Sequence, residues 1–196
     1  VGTPSTNSYS DTGLTASTSY TYRVRAVDGA GNLSGYSFTA SGTTQTPVVN
    51  ITNVTFTPSL QGKSSIPANR SFTLSFYPPG STTLQATALM TTDATGKLTF
   101  PASVVLPTGN YDLLTATSEY LKKKQLNVAL SSNTTLVLAQ LTAGDFNSDN
   151  AINSLDSSIM NAQWFSNNAQ SDINADGIVN SLAFSYLNSN WNKVGD

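Results

Sequence analysis

The chain of 196 residues contains no cysteine and no histidine, and its one glutamate is Glu119. Without cysteine there are no disulfides and no thiol chemistry, and the usual zinc ligand sets are gone. Without histidine there is no imidazole acid–base catalysis. A two-carboxylate mechanism would have to pair Glu119 with an aspartate. Charge is also scarce: charged residues make up 10% of the chain against 38% hydrophobic ones. That is too little charge for a typical cytosolic enzyme, yet the alternation described below is too regular for a disordered tail. The net charge is −2 with no basic stripe, so nucleic acid is not an expected partner. The single positive run, Lys122-Lys123-Lys124, lies between apolar stretches and reads as a solvated strand edge or loop. No apolar run approaches the length of a membrane span, and no signal peptide opens the chain. Because it starts at Val1, it is expected to be a processed or cut piece of something longer.

What is present is Ser, Thr, Asn, Val and aromatic residues in short alternating runs, which favour strands. The fold class expected is mainly β with a small α domain at the C-terminal end. Residues 1–45 offer SYSDTGL, SYTYRVRAVD and SFTASGTT. In the middle run Tyr20, Tyr22, Val24 and Ala26 share one face, and Arg23, Arg25 and Val27 share the other. DGAGN at 28–32 is a turn signal. The stretch GLTASTSYTYRVRAVDGAGNLSGYS resembles the last part of a fibronectin type III domain, with Leu14, Thr18 and Tyr20 at that family's leucine–threonine–tyrosine corner. Only its E, F and G strands are represented. Three strands bury a face only if something covers it. Cover is therefore expected from an upstream fragment, a neighbouring copy, or tight packing, and exposed residues 1–45 would count against this.

A short Pro-containing linker follows at 46–49, and residues 50–141 then give seven runs. They are ITNVTFTP, SFTLSFY, TLQATALMTT, GKLTFP, NYDLLTAT, LKKKQLNVAL and TTLVLAQL. Turn residues separate them at Pro78-Pro79-Gly80, Asp93–Gly96 and Pro107–Asn110, a spacing that predicts a β-sandwich. The pair TTDATGKLTFP and LPTGNYDLL resembles the prealbumin-like repeats of carboxypeptidase-regulatory and bacterial surface domains. The aromatics here (Phe56, Phe72, Phe76, Tyr77, Phe100, Tyr111 and Tyr120) are expected mainly in the core, with a sugar-binding platform as the alternative.

The end of the chain is a repeat. DFNSDNAINSLDSSIMNAQW, residues 145–164, returns as DINADGIVNSLAFSYLNSNW, residues 172–191. A repeat of this length points to paired units that bury their apolar faces against each other. Each unit begins with acids and amides at two-residue spacing, where carboxylates repel unless a cation lies between them. Calcium takes six to eight oxygens, and in a twelve-residue loop positions 1, 3, 5, 7, 9 and 12 supply them. In the first loop these positions hold Asp145, Asn147, Asp149, the Ala151 carbonyl, Asn153 and Asp156. Asn150 stands at position 6, where glycine is usual, and asparagine is the next most tolerant of positive φ. The second loop holds Asp172, Asn174, Asp176, Gly177, the Ile178 carbonyl and Asn180, but ends on Ala183. Loss of the closing acid predicts a weaker second calcium site, and Mg²⁺ is disfavoured because it demands a tight octahedron. A helix is expected after each loop, capped by Ser154 or Ser181. Leu155 and Ile159, and Leu182, Tyr186, Leu187 and Trp191, are expected to supply core stripes, with Trp164 and Trp191 capping them.

This loop–helix pair, with no helix entering the loop, resembles a type I dockerin over residues 142–196. The resemblance implies a non-catalytic module of a secreted or cell-surface bacterial or archaeal protein that docks onto a cohesin domain. In that family positions 10 and 11 of each loop help choose the partner. Here they are Ser154-Leu155 and Ser181-Leu182, similar enough to permit two docking orientations. Two other readings compete: a cell-surface stalk whose split sandwich is completed by a neighbouring chain, and a carbohydrate-binding accessory domain.

Overall fold

The computed structural model describes residues 2–196, which divide into two compact units, 2–48 and 49–196. In the first unit, β1 (Ser19–Tyr22) pairs antiparallel with β2 (Ala40–Thr43), Tyr20 opposite Gly42. The predicted strands are longer than this. Beyond Tyr22 the backbone N–H groups of Val24 and Ala26 donate to the hydroxyls of Ser37 and Ser34 rather than to carbonyls. A side-chain acceptor in place of a ladder carbonyl interrupts the strand. The predicted turn is built by Asp28, whose carboxylate accepts the N–H groups of Ala30 and Asn32. The segment SYSDTGL is not a strand. Two phenols tie this stretch to β1: Tyr20 Oη accepts Thr15 N–H at 2.9 Å, and Tyr22 Oη donates to Asp11 at 2.9 Å. Many apolar side chains of this unit are exposed, Phe38 at 99% and Val24 at 71%, while Leu14, Tyr20 and Tyr22 are half-buried. The expectation that tight packing covers this half-sheet is thereby overturned.

The second unit starts with β3 (Thr55–Leu60), β4 (Ser71–Tyr77), β5 (Ala86–Thr91) and β6 (Leu98–Thr99). It continues with β7 (Gly109–Ala116), β8 (Glu119–Tyr120), β9 (Lys123–Leu130), β10 (Thr135–Leu141) and β11 (Ala143–Asp145). Two helices close it, α1 (Ser154–Ala162) and α2 (Ser181–Ser189). Each of the seven predicted runs contains a strand. They form an antiparallel sheet in the order β5-β4-β7-β9 and a mixed sheet β10-β3-β6, in which β10 runs parallel to β3. Alternation puts Phe56, Phe72, Leu74, Phe76 and Leu113 inside, each at most 1% exposed. Phe76 meets Phe100 and Tyr111 edge-on, with centroids 5.7 and 6.3 Å apart. Of the aromatics considered for a sugar platform, Phe56, Phe72, Phe76, Phe100, Tyr111 and Tyr120 are buried. They are core side chains, as expected.

One acid is buried within the sandwich. Asp112 sits at an irregularity between β7 and β9, and its two oxygens accept the N–H groups of Gly80 and Asn127, both at 2.9 Å. Those bonds from Asn127 and Gly80 hold its carboxyl below the usual carboxylate range. They pin the turn after β4 and the left-handed Asn127 (φ 54°) of β9 to one side chain. Lys123 and Lys124 of the lysine run open β9, an edge strand, and Lys122 lies just before it, as the sequence context suggested.

The sandwich core continues into the end of the chain without a break. Tyr120, Leu141, Ala143, Phe146, Ile152, Met160 and Leu187 belong to the same buried cluster as the Phe residues of β3 and β4. The short strand β11 pairs with β8, Ala143 opposite Tyr120 and Asp145 opposite Glu119. The Asn190 amide nitrogen donates to Gln61 Oε1 (2.7 Å) and to the Ala143 carbonyl (2.9 Å), and Gln61 Oε1 also accepts Ala143 N–H. Lys63 Nζ donates to the Asp172 carbonyl at 2.7 Å. Gly62 lies so close to Ile173 that a Cβ there would come 2.6 Å from its side chain, so glycine is required by contact as well as by its φ of 83°.

Candidate metal loops and the paired helices

Both loops fold the same way, and the reason is in the repeat. Asp145 Oδ2 accepts Asn150 N–H at 3.0 Å, and Asp172 Oδ2 accepts Gly177 N–H at 2.9 Å. Asp149 Oδ1 accepts Ala151 N–H, and Asp176 Oδ1 accepts Ile178 N–H. Positions 4 and 6 are left-handed in each: Ser148 and Asn150 at φ 63° and 67°, Ala175 and Gly177 at 59° and 93°. Asn150 thus adopts the conformation expected of the residue that replaces glycine.

The units also clasp each other reciprocally. Ile152 N–H donates to the Lys193 carbonyl and its own carbonyl accepts Asn192 N–H, joining loop 1 to the chain after α2. Val179 N–H donates to the Ser166 carbonyl and its carbonyl accepts Phe165 N–H, joining loop 2 to the chain after α1. Phe165 and Asn192 have matching left-handed φ values of 63° and 61°. Ile152 and Val179 are completely buried, as are Met160 of α1 and Leu187 of α2. This is a pseudo-two-fold pair with a shared core.

The helix caps differ from the expectation. Asn153 and Asn180, not Ser154 and Ser181, are the N-caps, accepting Leu155 N–H at 2.8 Å and Leu182 N–H at 2.7 Å. An amide oxygen reaches the second N–H of the helix as well as a hydroxyl does, and the asparagine precedes the serine by the one residue the cap geometry needs. The core stripes hold in part: Leu187 is completely buried and Ile159 and Tyr186 pack against the core, as expected, but the leucines of the first turns do not. Leu155 and Leu182 are exposed at 59% and 60%, and the inward positions are Asp156/Met160 and Ala183/Leu187. Trp164 packs on the core, edge-on to Phe184 at 6.0 Å, whereas Trp191 is 41% exposed.

Asp156 and Ala183 separate the loops. Asp156, completely buried, accepts Phe146 and Asn147 N–H on Oδ1 and Asn153 N–H on Oδ2, closing a capping box. Ala183, also completely buried, has no oxygen to offer the equivalent groups.

The donor set fits a hard cation in one respect and departs in another. Asp145 is 3% exposed and its Oδ1 is buried without a hydrogen-bond partner; Asn174 Oδ1 is likewise buried and unpartnered. Burial first, then the nearby charges of Asp156 and Asp149, raises the Asp145 carboxyl above its ordinary range. A buried carboxylate with a free oxygen is costly, and a cation offsets that cost. Among the described residues, however, no three acidic, histidine or cysteine side chains converge in metal-holding geometry. Asp149 and Asp176 turn instead to the amides of Asn147 (2.8 Å) and Asn174 (2.7 Å), which hold their carboxyls below the usual range. Coordination would depend on Asn and backbone oxygens to complete a shell around Asp145 or Asp172, the oxygen-only chemistry of calcium.

Two loop–helix units related by a pseudo-two-fold, each opening on an oxygen-rich loop, define the tandem class of cation-loop modules. Residues 143–191 match the model of the dockerin type I domain, and this part of the chain is a type I dockerin domain. Domains of that family are calcium-binding. By fold, the chain resembles one chain in crystal structures of a type II Cohesin-X-Dockerin complex from Acetivibrio cellulolyticus, an N-terminal and a C-terminal interface mutant. The TM-scores are 0.52 and 0.53, at 18% identity over 74% of this chain and 97% of that one. Among curated proteins, exoglucanase B of Cellulomonas fimi is 60% identical over 47 residues and an alpha-amylase of Niallia circulans 57% over 44 residues. Those matches span 24% and 22% of this chain but only 4% and 3% of the relatives' lengths.

Proposed function

We propose that the chain is a non-catalytic attachment module that joins a larger secreted protein to a cohesin-type partner through calcium-ordered loops. The observation that carries this reading is the pair of leucines, Leu155 and Leu182, left exposed at equivalent places on two symmetry-related helices. Apolar side chains displayed this way on a rigid scaffold suit a partner surface. Ser154 and Ser181, both exposed, lie beside them. The cohesin named with the structural neighbours supports the choice of partner class. On this reading Asp145, Asn147, Asp149, the Ala151 carbonyl, Asn153 and Asp156 hold the first calcium. Asp172, Asn174, Asp176, the Ile178 carbonyl and Asn180 hold a weaker second one. The ion would supply fixed positive charge that orders the loop and the helix after it, and no bond is made or broken. The module boundaries proposed are 1–45, 46–49, 50–141 and 142–196. The surroundings of this chain, secreted or cell-surface and of a bacterium or archaeon that degrades polysaccharide, belong to the same proposal.

Calorimetric titration of the full chain with a cohesin domain tests it. Binding is expected with calcium and lost with chelator. Because either helix can lead in a pseudo-symmetric site, Leu155→Asp or Leu182→Asp alone should cost about tenfold or less. The double variant should cost more than roughly a hundredfold, the scale of a lost hot spot. Binding that is indifferent to both chelator and the double variant would refute the reading.

A further inference from the structure

Asn150 occupies the loop position where glycine is usual, and every polar group it carries is engaged. Its N–H donates to Asp145 Oδ2 at 3.0 Å, and its carbonyl accepts Gly195 N–H at 2.9 Å. Its side-chain Oδ1 accepts Lys122 N–H at 2.9 Å, and its Nδ2 donates to the Asp196 backbone oxygen at 3.4 Å. Asp196 is itself tied to the sandwich edge. Its N–H donates to the Lys122 carbonyl at 3.1 Å, its carboxylate accepts Lys124 N–H at 2.9 Å, and Lys123 Nζ lies 3.3 Å from that carboxylate. One residue therefore joins three places: its backbone N–H holds the first residue of the metal loop, and its side chain holds Lys122, just before edge strand β9, and Asp196 at the end of the segment 194–196. Glycine at this position would satisfy φ with less strain but would make none of the side-chain bonds.

We propose that Asn150 is a positioning residue that couples calcium occupancy of the first loop to the clasp between residues 194–196 and the sandwich edge at Lys122–Lys124. The proposal rests on the calcium reading of the loop. Lys122 fixes Asn150, Asn150 N–H fixes Asp145 Oδ2, and Asp145 is left with its buried, unpartnered Oδ1 turned to the ion site. Since linkage is reciprocal, an ion that orders Asp145 tightens the clasp by the factor by which the clasp tightens ion binding. Gly195 is the sensor on the other side. A Cβ there would run into the Asn150 amide, so Gly195→Ala displaces that amide without replacing any residue of the loop.

The test uses the full chain with calcium alone: a calorimetric titration, and amide hydrogen exchange at Lys122, Lys124, Gly195 and Asp196 with and without the ion. For the wild type, heat is expected together with exchange slowed roughly fivefold or more at Lys122 and Gly195, the lower end of measured couplings. In Asn150→Gly and in Gly195→Ala the heat should persist while calcium no longer slows Lys122. Asn150→Asp keeps the Oδ1 acceptor and should keep the slowing. Heat without slowing in the wild type, or slowing that survives in both disruptive variants, overturns the coupling and leaves the calcium reading standing. Absence of heat in the wild type overturns both.

Discussion

The two loop–helix units share backbone geometry, N-cap and inward-facing positions, yet one carries a buried carboxylate at its twelfth position and the other a buried methyl. Their likeness extends to the left-handed residues at loop positions 4 and 6 and just past each helix. Position 12 is therefore not what folds the unit. The second loop keeps its shape with Ala183, because the fold is held by Asp172 on Gly177 N–H, Asn180 on Leu182 N–H, and the cross-pairing of Val179 with Phe165 and Ser166. What Asp156 adds is satisfaction of three backbone N–H groups and a carboxylate near Asp145, a local reinforcement that the second loop does without.

If the scaffold is common property, truncating it on either side should do the same damage. Met160 and Leu187 are equivalent, completely buried, and belong to the core that runs on into the sandwich. Met160→Ala and Leu187→Ala are each expected to lower stability by about 2–5 kcal/mol. Chemical denaturation with calcium chelated is the measurement. The two variants should agree within the scatter of such truncations. A large loss at Leu187 with little at Met160 would break the symmetry, and would place the fold's weight on the helix whose C-cap, Asn190, bonds to Gln61 and Ala143 of the sandwich side.

The sequence announced this symmetry because a tandem repeat places matching residues at a fixed offset, and it announced the seven sandwich runs because alternation is a local signal. The N-caps were within reach too: Asn153-Ser154-Leu155-Asp156 is a capping-box pattern, with the amide in the hydroxyl's usual place. Other features had no local signature. Gln61 meets Asn190 and Lys63 meets Asp172 across more than a hundred residues, and the two-residue strand β8 shows no alternation. The exposure of Leu155 and Leu182 was masked for a different reason. At i, i+4 spacing an apolar residue on a short helix reads as core, and only the buried neighbours at 156 and 183 show that the first turn of each helix presents its leucine to solvent while Leu187 stays inside.

Exchanging the residues at position 12 sharpens the contrast most directly. Asp156→Ala gives loop 1 the pattern of loop 2 and strands the N–H groups of Phe146, Asn147 and Asn153. Because loop 2 tolerates the same residue, the expected cost is about 1–3 kcal/mol, one poorly compensated buried group rather than three. Calcium binding should suffer more than folding, since the buried Oδ1 of Asp145 loses the neighbouring oxygens of a shared shell. Ala183→Asp is the converse. Without calcium it buries a carboxylate and should be neutral or slightly destabilising; with calcium, the titration should resolve two tight events where the wild type gives one tight and one weak. Two tight events in the wild type, or an unchanged weak one in Ala183→Asp, would mean that Asn174, Asp176 and the Ile178 carbonyl hold the second ion without a closing acid. The difference between the loops would then be one of capping alone.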